Sequence, residues 1–140
     1  MSMPLEDIRI LELTNVLGGP LAGRLLGDLG AEVIKIEQPD KGDSSRQLGP
    51  YFLEGESAYF LGFNRNKKSI TINLRTEDGL KVFYQLVKHS DVVLDNFRPG
   101  VLSRLKINYE ILKTINPAVI SASLSGFGQD GPYSQRPAFD

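Results

Sequence analysis

Short apolar segments alternate along this chain with longer segments in which apolar residues recur at helical spacing. Residues 8–13 alternate apolar and charged side chains and are rich in branched residues, a pattern typical of a strand with one exposed face. The same pattern predicts four further strands, at residues 32–37, 69–74, 91–95 and 119–124. Helical spacing of apolar residues predicts helices between the strands.

Turn and cap residues mark where the predicted helices begin and end. Pro20 suits the first turn of a helix, and Gly30 stands where a left-handed residue would end it. Thr76 is placed to cap a second helix, and Asn108 is placed to cap a third. Strands that alternate with helices of this length predict an α/β fold with a mainly parallel sheet.

In such a sheet, ligands bind beyond the carboxyl ends of the strands. This rule selects five loops as candidate functional segments, at residues 14–20, 37–42, 74–76, 96–100 and 125–140. The turn-rich stretch at residues 38–56 is too polar for a core, and long connections of this kind are often functional. Four aromatic residues flank it and are interpreted as buried, with an acyl pocket as the alternative: Tyr51, Phe52, Tyr59 and Phe60.

The glycine loop at residues 17–20 has two interpretations. Free backbone N–H groups at the start of a helix favour a phosphate, and Glu37 stands where an acid would contact the ribose of a nucleotide. The glycines are not spaced as in the dinucleotide fingerprint, however, because Gly18 and Gly19 are adjacent. The alternative is a tight turn from strand to helix that binds no ligand.

Two polar segments are equally open to alternatives. The run at residues 64–69 has three cations and two amides, a composition suited to a polyphosphate, but a solvated turn is the favoured interpretation. Phe97 and Arg98 follow the fourth strand, where they could stack on adenine and pair with a phosphate. Alternatively, Phe97 fills the core and Arg98 is a surface cation.

Composition narrows the function classes. With 16 basic and 17 acidic residues the formal net charge is −1, so no global field attracts nucleic acid or an anionic membrane. The chain has no cysteine, and its single histidine, His89, is interpreted as a helix-dipole partner, so we expect no metal site. The first residues do not form a secretory signal, and no apolar run approaches the roughly 20 residues needed to span a bilayer. We therefore expect a soluble, cytoplasmic protein.

Taken in order, several motifs resemble the opening of family III CoA-transferases of the CaiB/BaiF type. The longest motif covers residues 27–37, with the sequence Gly-Asp-Leu-Gly-Ala-Glu-Val-Ile-Lys-Ile-Glu. The other matching motifs lie at residues 10–14, 19–20, 42–43, 64–69, 91–92, 96–100 and 125–132. The resemblance covers essentially all 140 residues.

The resemblance implies that residues 1–140 are an amino-terminal, Rossmann-like CoA-binding segment, part of a large domain whose remainder lies outside this chain together with a small domain. In this family an aspartate attacks the acyl-CoA thioester, and the CoA thiolate returns to form an aspartyl-CoA thioester that the acceptor carboxylate opens. That nucleophile lies beyond Asp140, which matches an accessory acid of the active site. We therefore expect a truncated piece that is inactive alone, from an enzyme whose two subunits interlock as rings.

The resemblance also implies a set of contacts with coenzyme A or acyl-CoA. They are Val16, Leu17, Gly18, Gln38, Ile72, Asn73, Leu74, Arg75, Asn96, Phe97, Arg98, Arg104 and Arg136. Gln38 stands where some members have arginine, and Leu17 stands where some have glutamine, which argues against formate or oxalate as the acid. We expect the second substrate to be a dicarboxylic acid such as succinate.

Two alternatives to a transferase remain open. The α-methylacyl-CoA racemases of the same family use a histidine just before the position of Asp140, where this chain has Phe139. This difference favours a transferase. The other alternative is a catalytically silent module that only binds CoA.

Overall fold

The computed structural model describes residues 2–138, which form a parallel sheet with flanking helices. The strands are β1 (Arg9–Glu12), β2 (Glu32–Glu37), β3 (Phe52–Leu53), β4 (Glu56–Ser57), β5 (Lys67–Thr71), β6 (Val92–Asp95) and β7 (Ile120–Ser123). The helices are α1 (Gly18–Asp28), α2 (Ala58–Asn64), α3 (Glu77–Lys88), α4 (Val101–Arg104) and α5 (Tyr109–Ile115), with a 3-10 turn at Ser44–Gln47.

The central sheet has the strand order β5-β2-β1-β6-β7, and every neighbouring pair is parallel. The chain builds outwards from β1 to one edge, then returns to β6 and builds to the other. This order is that of a Rossmann-like fold and confirms the predicted α/β class. The reversal between β1 and β6 is a topological switch point, where the loops leave in opposite directions and a crevice opens.

Helices cover both faces of the sheet. Helices α3 and α5 pack over a core cluster that includes Phe83, Val93 and Leu112. Helix α1 packs over a smaller cluster that includes Ile10 and Val33. The central strand β1 is therefore buried on both sides, and any polar side chain on it must find a partner inside the protein.

Helix α1 lies close to β1 because two of its buried residues are glycines. A Cβ at Gly19 would lie 2.4 Å from the Cβ of Thr14, and a Cβ at Gly23 would lie 1.8 Å from Oε2 of Glu12. Both distances are far shorter than a van der Waals contact, so neither position can hold a side chain in a packed interior. Gly19 of the glycine loop is thus explained by helix packing.

The third predicted strand differs from the structure at both ends. Alternation predicts residues 69–74, whereas β5 spans Lys67–Thr71. Lys67 belongs to the strand because its ammonium group is buried against Glu12, 2.8 Å from Oε2. A prediction from alternation takes a charged residue to be exposed. It therefore omits the buried Lys67, and the predicted strand begins two residues too late. Residues 72–74 leave the strand and border a cavity.

The segment expected as a long loop contains more structure than the sequence indicates. It includes the 3-10 turn and the β3–β4 hairpin, and α2 follows it directly. Tyr51 and Phe52 are 77% and 52% exposed, so the prediction that they are buried is wrong. Phe60 is buried, with the Arg46 guanidinium 3.8 Å above its ring.

The predicted helix ends are largely confirmed. Gly30 has a φ of 105° just after α1, as a left-handed helix stop requires. The Thr76 hydroxyl accepts a hydrogen bond from the Gly79 amide at 3.1 Å and so caps α3. Asn108 occupies the cap position of α5, but its side chain makes no capping hydrogen bond.

Replacing Gly23 with alanine should lower the free energy of unfolding by about 2–4 kcal/mol, because the new methyl group must displace the buried Glu12 carboxylate. Gly62 provides the matched control, since it also lies inside a helix and nothing lies within 4 Å of its missing Cβ. Gly62→Ala should leave stability unchanged or raise it by up to about 1 kcal/mol. Urea unfolding measures both variants, and equal effects would contradict the packing role of Gly23.

Candidate functional site

A cavity of about 760 Å³ opens at the carboxyl ends of the strands, beside the switch point. The segments that follow β1, β2, β5 and β6 all contribute to its walls. A second cavity, of about 460 Å³, lies beyond β6 and β7 and is bordered by Arg98, Ser121 and Ser123 among others. Phe97 borders both cavities, which therefore lie next to each other.

The main cavity brings together many of the CoA contacts predicted from the sequence. Seven of them line it, namely Gln38, Ile72, Asn73, Leu74, Arg75, Phe97 and Arg104. Four of the seven, Gln38, Leu74, Arg75 and Phe97, lie in loops that the strand-end rule selects from the sequence. Ile72 and Asn73 directly precede one of these loops, and Arg104 is the last residue of α4.

The remaining predicted contacts lie elsewhere. Arg98 lines the second cavity, and Arg136 is exposed with its guanidinium 4.2 Å from the Tyr133 ring centroid. Neither cavity is lined by the other four, which lie in the loops after β1 and β6: Val16, Leu17, Gly18 and Asn96. Asp140 and Phe139 lie outside the described residues, so the predicted accessory acid stays a prediction.

Glu37, the last residue of β2, is buried and fully paired. Arg46 donates to both of its carboxylate oxygens, at 2.6 and 2.8 Å, and the Ser69 hydroxyl and the Asp43 amide also donate to it. Burial alone would raise the pKa of Glu37, but these hydrogen bonds outweigh it and lower the pKa to about 2. The carboxylate is therefore not free to contact a ribose, and that interpretation of Glu37 is wrong. It instead anchors the loop that borders the cavity.

Four buried charges lie beneath the loop that follows β1. Glu12 is 2.8 Å from the Lys67 ammonium group and 3.2 Å from that of Lys35, which is also 2.9 Å from Asp43. All four side chains are at most 2% exposed. One oxygen of each carboxylate, Glu12 Oε2 and Asp43 Oδ2, makes no hydrogen bond of good geometry within residues 2–138 and has only its lysine nearby.

Burial opposes the charge on Lys67 and on Asp43. It lowers the pKa of Lys67, although Glu12 acts in the opposite direction. Burial also acts to raise the pKa of Asp43, but the neighbouring Lys35 ammonium group outweighs it and keeps that pKa below its ordinary value. The cluster therefore depends on all its members being present.

The basic run at residues 64–69 forms ion pairs and hydrogen bonds within the protein. Arg65 donates to Asp28 at 2.6 Å, Lys68 to Glu32 at 2.5 Å, and the Ser69 hydroxyl to Glu37 at 2.6 Å. Lys67 is buried in the charge cluster. The prediction of a solvated turn is wrong for Lys67, and these pairings also leave no group of cations for a polyphosphate.

The arginines divide into two groups by their partners. The first group forms ion pairs with carboxylates and consists of Arg9, Arg24, Arg46 and Arg65. Within residues 2–138 the second group has no carboxylate partner and consists of Arg75, Arg98, Arg104 and Arg136. The second group contains every arginine among the predicted CoA contacts.

The buried charges do not follow from the pattern of apolar and polar positions, although the sequence contains one signal for them. Glu12 and Lys35 are partners in the register of β1 and β2. Opposite charges at equivalent positions of two consecutive parallel strands indicate such a pair, because a charge on a strand buried on both faces needs a partner inside the protein. Asp43 lies in a loop, and no local pattern distinguishes it from an exposed turn residue.

The described part of the chain contains neither a membrane-spanning helix nor a metal cluster. No helix within residues 2–138 combines the length and apolar character needed to cross a bilayer. No group of three or more histidine, cysteine, aspartate or glutamate residues in that range could hold a metal ion.

The strand order, with a cavity at the switch point, defines a Rossmann-like α/β protein. The chain belongs to CoA-transferase family III, whose sequence model matches residues 5–140. The family that the sequence motifs indicate is thereby confirmed.

Several characterised proteins are similar to this chain. Succinyl-CoA:glutarate CoA-transferase of Homo sapiens is 49% identical over 137 residues, which cover 98% of this chain and 31% of that protein. Acetyl-CoA:oxalate CoA-transferase of Acetobacter aceti is 48% identical, with coverage of 98% and 35%. The crystal structure of a CAIB/BAIF family protein from Brucella suis is 44% identical with a TM-score of 0.93, over 100% of this chain and 38% of that one. The chain spans about a third of the length of the curated relatives it matches.

Replacing Glu37 with glutamine should destabilise the protein at neutral pH by about 3 kcal/mol and flatten its acid unfolding. The pKa of Glu37 falls from an ordinary 4.5 to about 2 on folding. The stabilisation is therefore complete above pH 4.5 and is lost as the pH falls towards 2. Urea unfolding across this pH range measures the difference between the variant and the unmodified protein.

Glu56 offers a matched control for this measurement. Its carboxylate lies 3.3 Å from the same Arg46 guanidinium, but its side chain is 51% exposed. Glu56→Gln should change stability by less than about 0.5 kcal/mol. If Glu37→Gln behaved like Glu56→Gln at every pH, the anchoring role of Glu37 would be refuted.

Proposed function

We propose that this chain supplies the acyl-CoA-binding part of a CoA-transferase, an enzyme that moves CoA from an acyl-CoA to a carboxylic acid. The observation that carries the proposal is the set of arginines without carboxylate partners in the described residues, at positions 75, 98, 104 and 136. CoA bears a diphosphate and a 3′-phosphate, and guanidinium groups pair with phosphates through charge-assisted hydrogen bonds. Three of these arginines border a cavity, Arg75 and Arg104 the main one and Arg98 the second, and this placement suits such a ligand.

The walls of the main cavity support the same ligand. Arg75 and Arg104 border it together with the apolar side chains of Ile72, Leu74 and Phe97. An aromatic ring and aliphatic groups offer stacking and packing surfaces for adenine, while the arginines offer partners for phosphates. Asn15 also borders this cavity, and the predicted CoA contacts Val16, Leu17 and Gly18 follow it directly in the chain, while Asn96 is hydrogen-bonded to it.

In this proposal residues 1–140 are the amino-terminal, CoA-binding segment of a larger protein, and the rest of the large domain and the small domain lie outside it. The relatives' greater length supports this division. The nucleophilic aspartate would belong to that remainder, with Asp140 as an accessory acid. The carboxylate of that nucleophilic aspartate attacks the acyl-CoA thioester and expels the CoA thiolate, which leaves a mixed anhydride. The thiolate then attacks the aspartyl carbonyl of the anhydride and releases the donor acid, and the acceptor carboxylate opens the aspartyl-CoA thioester so formed. The segment alone would bind CoA without transferring it.

A dicarboxylic acid such as succinate is the proposed class of acid substrate. Five of these relatives are named for succinyl-CoA together with glutarate, D-citramalate or L-malate, and a sixth is named for acetyl-CoA and oxalate. The similarity to an oxalate enzyme weakens the argument against oxalate that rests on Leu17. Relatives at 41–49% identity carry transferase names, which favours transfer over racemisation.

We further propose a cytoplasmic homodimer whose subunits interlock, with no nucleic-acid or membrane partner. The formal net charge of −1 supports the absence of polyanionic partners. Exposed apolar side chains on β7 and after it, such as Ile120 and Leu124, support further protein contacts at that edge of the sheet.

Replacing Arg75 or Arg104 with alanine in the full natural protein should weaken CoA binding about tenfold each, because each removes one phosphate partner. Lys88→Ala is the matched control. It removes an exposed positive charge at the end of α3, which leads into β6 at the amino ends of the strands, away from the cavity. Calorimetric titration with CoA measures all three variants. Unchanged affinity in both arginine variants would refute the proposed site.

A further inference from the structure

We propose that Lys35, Asp43 and Asn96 are positioning residues that together hold the backbone of residues 14–16 in the shape that presents residues 16–18 to acyl-CoA. This inference rests on the proposed function, because it concerns how the same site is held. None of the three side chains needs to touch the ligand. They act on the loop that follows β1, at the switch point of the sheet.

The backbone at Val16 is in a conformation that requires support. Its φ is 70°, in the left-handed region that side chains branched at Cβ strongly disfavour. Such a conformation is strained and persists only where the surroundings enforce it. Val16 is also 36% exposed, so packing of its own side chain does not hold it in place.

Four successive backbone groups of this loop are bound by the three side chains. The Lys35 ammonium group donates to the Thr14 carbonyl at 2.7 Å, and Asp43 Oδ1 accepts from the Val16 amide at 3.1 Å. Between them, the Asn96 side chain accepts from the Asn15 amide at 2.9 Å and donates to the Asn15 carbonyl at 2.8 Å. We call this set of contacts the backbone clamp.

The clamp is itself anchored below the loop. Asp43 Oδ2 lies 2.9 Å from the Lys35 ammonium group, so the two ends of the clamp are joined by an ion pair. Asp43 Oδ1 also accepts from the Ser45 amide and hydroxyl, at 2.9 and 2.7 Å. Lys35 lies in β2 and Asn96 directly follows β6, so the strands on either side of β1 fix the loop between them.

Stability alone does not explain this arrangement. A buried ion pair contributes little net stability, because losing water costs both charges about as much as their attraction returns. Lys35 and Asp43 are each 1% exposed, which makes that cost large. Lys35 and Asp43 also bind the backbone of the strained loop, and apolar side chains could not make these hydrogen bonds. The ion pair therefore serves to fix the conformation of the loop.

The strain sets the size of the expected effect. If the clamp is broken, the loop relaxes and only a fraction of molecules retain the binding-competent shape. A strain of about 1–3 kcal/mol corresponds to a loss of affinity of about 5- to 150-fold. Saturating acyl-CoA restores the competent shape, so KM should rise while kcat changes much less.

The test uses Asp43→Asn in the full natural protein. Asparagine has one acceptor oxygen and cannot serve both the Val16 amide and Lys35, so one end of the clamp is lost. Hydrogen exchange of the Val16 amide without ligand should accelerate, and the KM for acyl-CoA should rise at least about fivefold. Ser45→Ala is a milder second variant that removes one hydrogen bond to Asp43 and no charge, and it should shift both quantities in the same direction.

Val87→Ala is the matched control for lost stability. Val87 is fully buried near the end of α3, on the side of the sheet where the strands begin and away from the loop after β1. Its truncation should destabilise the protein without changing KM. Equal KM shifts in Asp43→Asn and Val87→Ala, or unchanged Val16 exchange in both Asp43→Asn and Ser45→Ala, would overturn the inference. If the unmodified protein failed to bind acyl-CoA, the proposed function would fall, while the exchange measurement would still decide whether the clamp holds the loop.

Discussion

The ion pair between Glu12 and Lys35 is the interaction on which the geometry at the switch point depends. The two residues are partners in the register of β1 and β2, so the pair forms only when these strands are correctly aligned. Lys67 of β5 joins the same carboxylate, and Gly23 of α1 leaves the space that the carboxylate occupies. Three strands and a helix therefore share one buried group of charges. A shift of any of them would leave a charge without its partner, at a cost of several kcal/mol.

Much of the fold could be predicted from the sequence, because apolar patterns report directly on strands. The strands expected at residues 8–13, 32–37, 91–95 and 119–124 agree with the structure to within one residue at each end. The predictions failed where a charged side chain is buried or an aromatic side chain is exposed. Lys67 points inward because Glu12 neutralises it, and Tyr51 points outward on a hairpin. No pattern of apolar and polar residues contains that information.

The candidate site could be predicted only in part, for a related reason. Knowledge of the strand ends selects the loops, and seven of the proposed contacts line one cavity. The role of Asn96 depends instead on a partner 81 residues away, since its side chain binds the backbone of Asn15. The sequence shows an amide beside an aromatic residue and a cation, a combination that suits ligand binding. Only the structure shows that the amide is used to hold another loop.

The electrostatics of the cavity follow from the same internal pairing. The formal net charge of the chain is −1, so attraction for an anionic ligand must be local. Glu37 at the cavity is neutralised by Arg46, and Asp40 is exposed to solvent and salt, which screen its charge. Arg75 and Arg104 then keep their positive charge without a carboxylate partner among residues 2–138. Because Glu37 is paired internally and Asp40 is screened, these two arginines provide local positive charge where the sheet topology opens a crevice.

An apolar substitute for the Lys35 and Asp43 pair would be compatible with the fold but not with the loop. Replacing a buried ion pair with packed apolar side chains is often neutral or stabilising. Methyl groups, however, offer nothing to the Thr14 carbonyl and the Val16 amide, and the unpaired backbone groups would cost about 1–3 kcal/mol each unless the loop moved to reach water. Movement would release the left-handed conformation of Val16. Lys35 pairs with Glu12 in the register of β1 and β2 and with Asp43 beneath the loop, so one residue contributes both to the alignment of the strands and to the conformation of the backbone at the switch point.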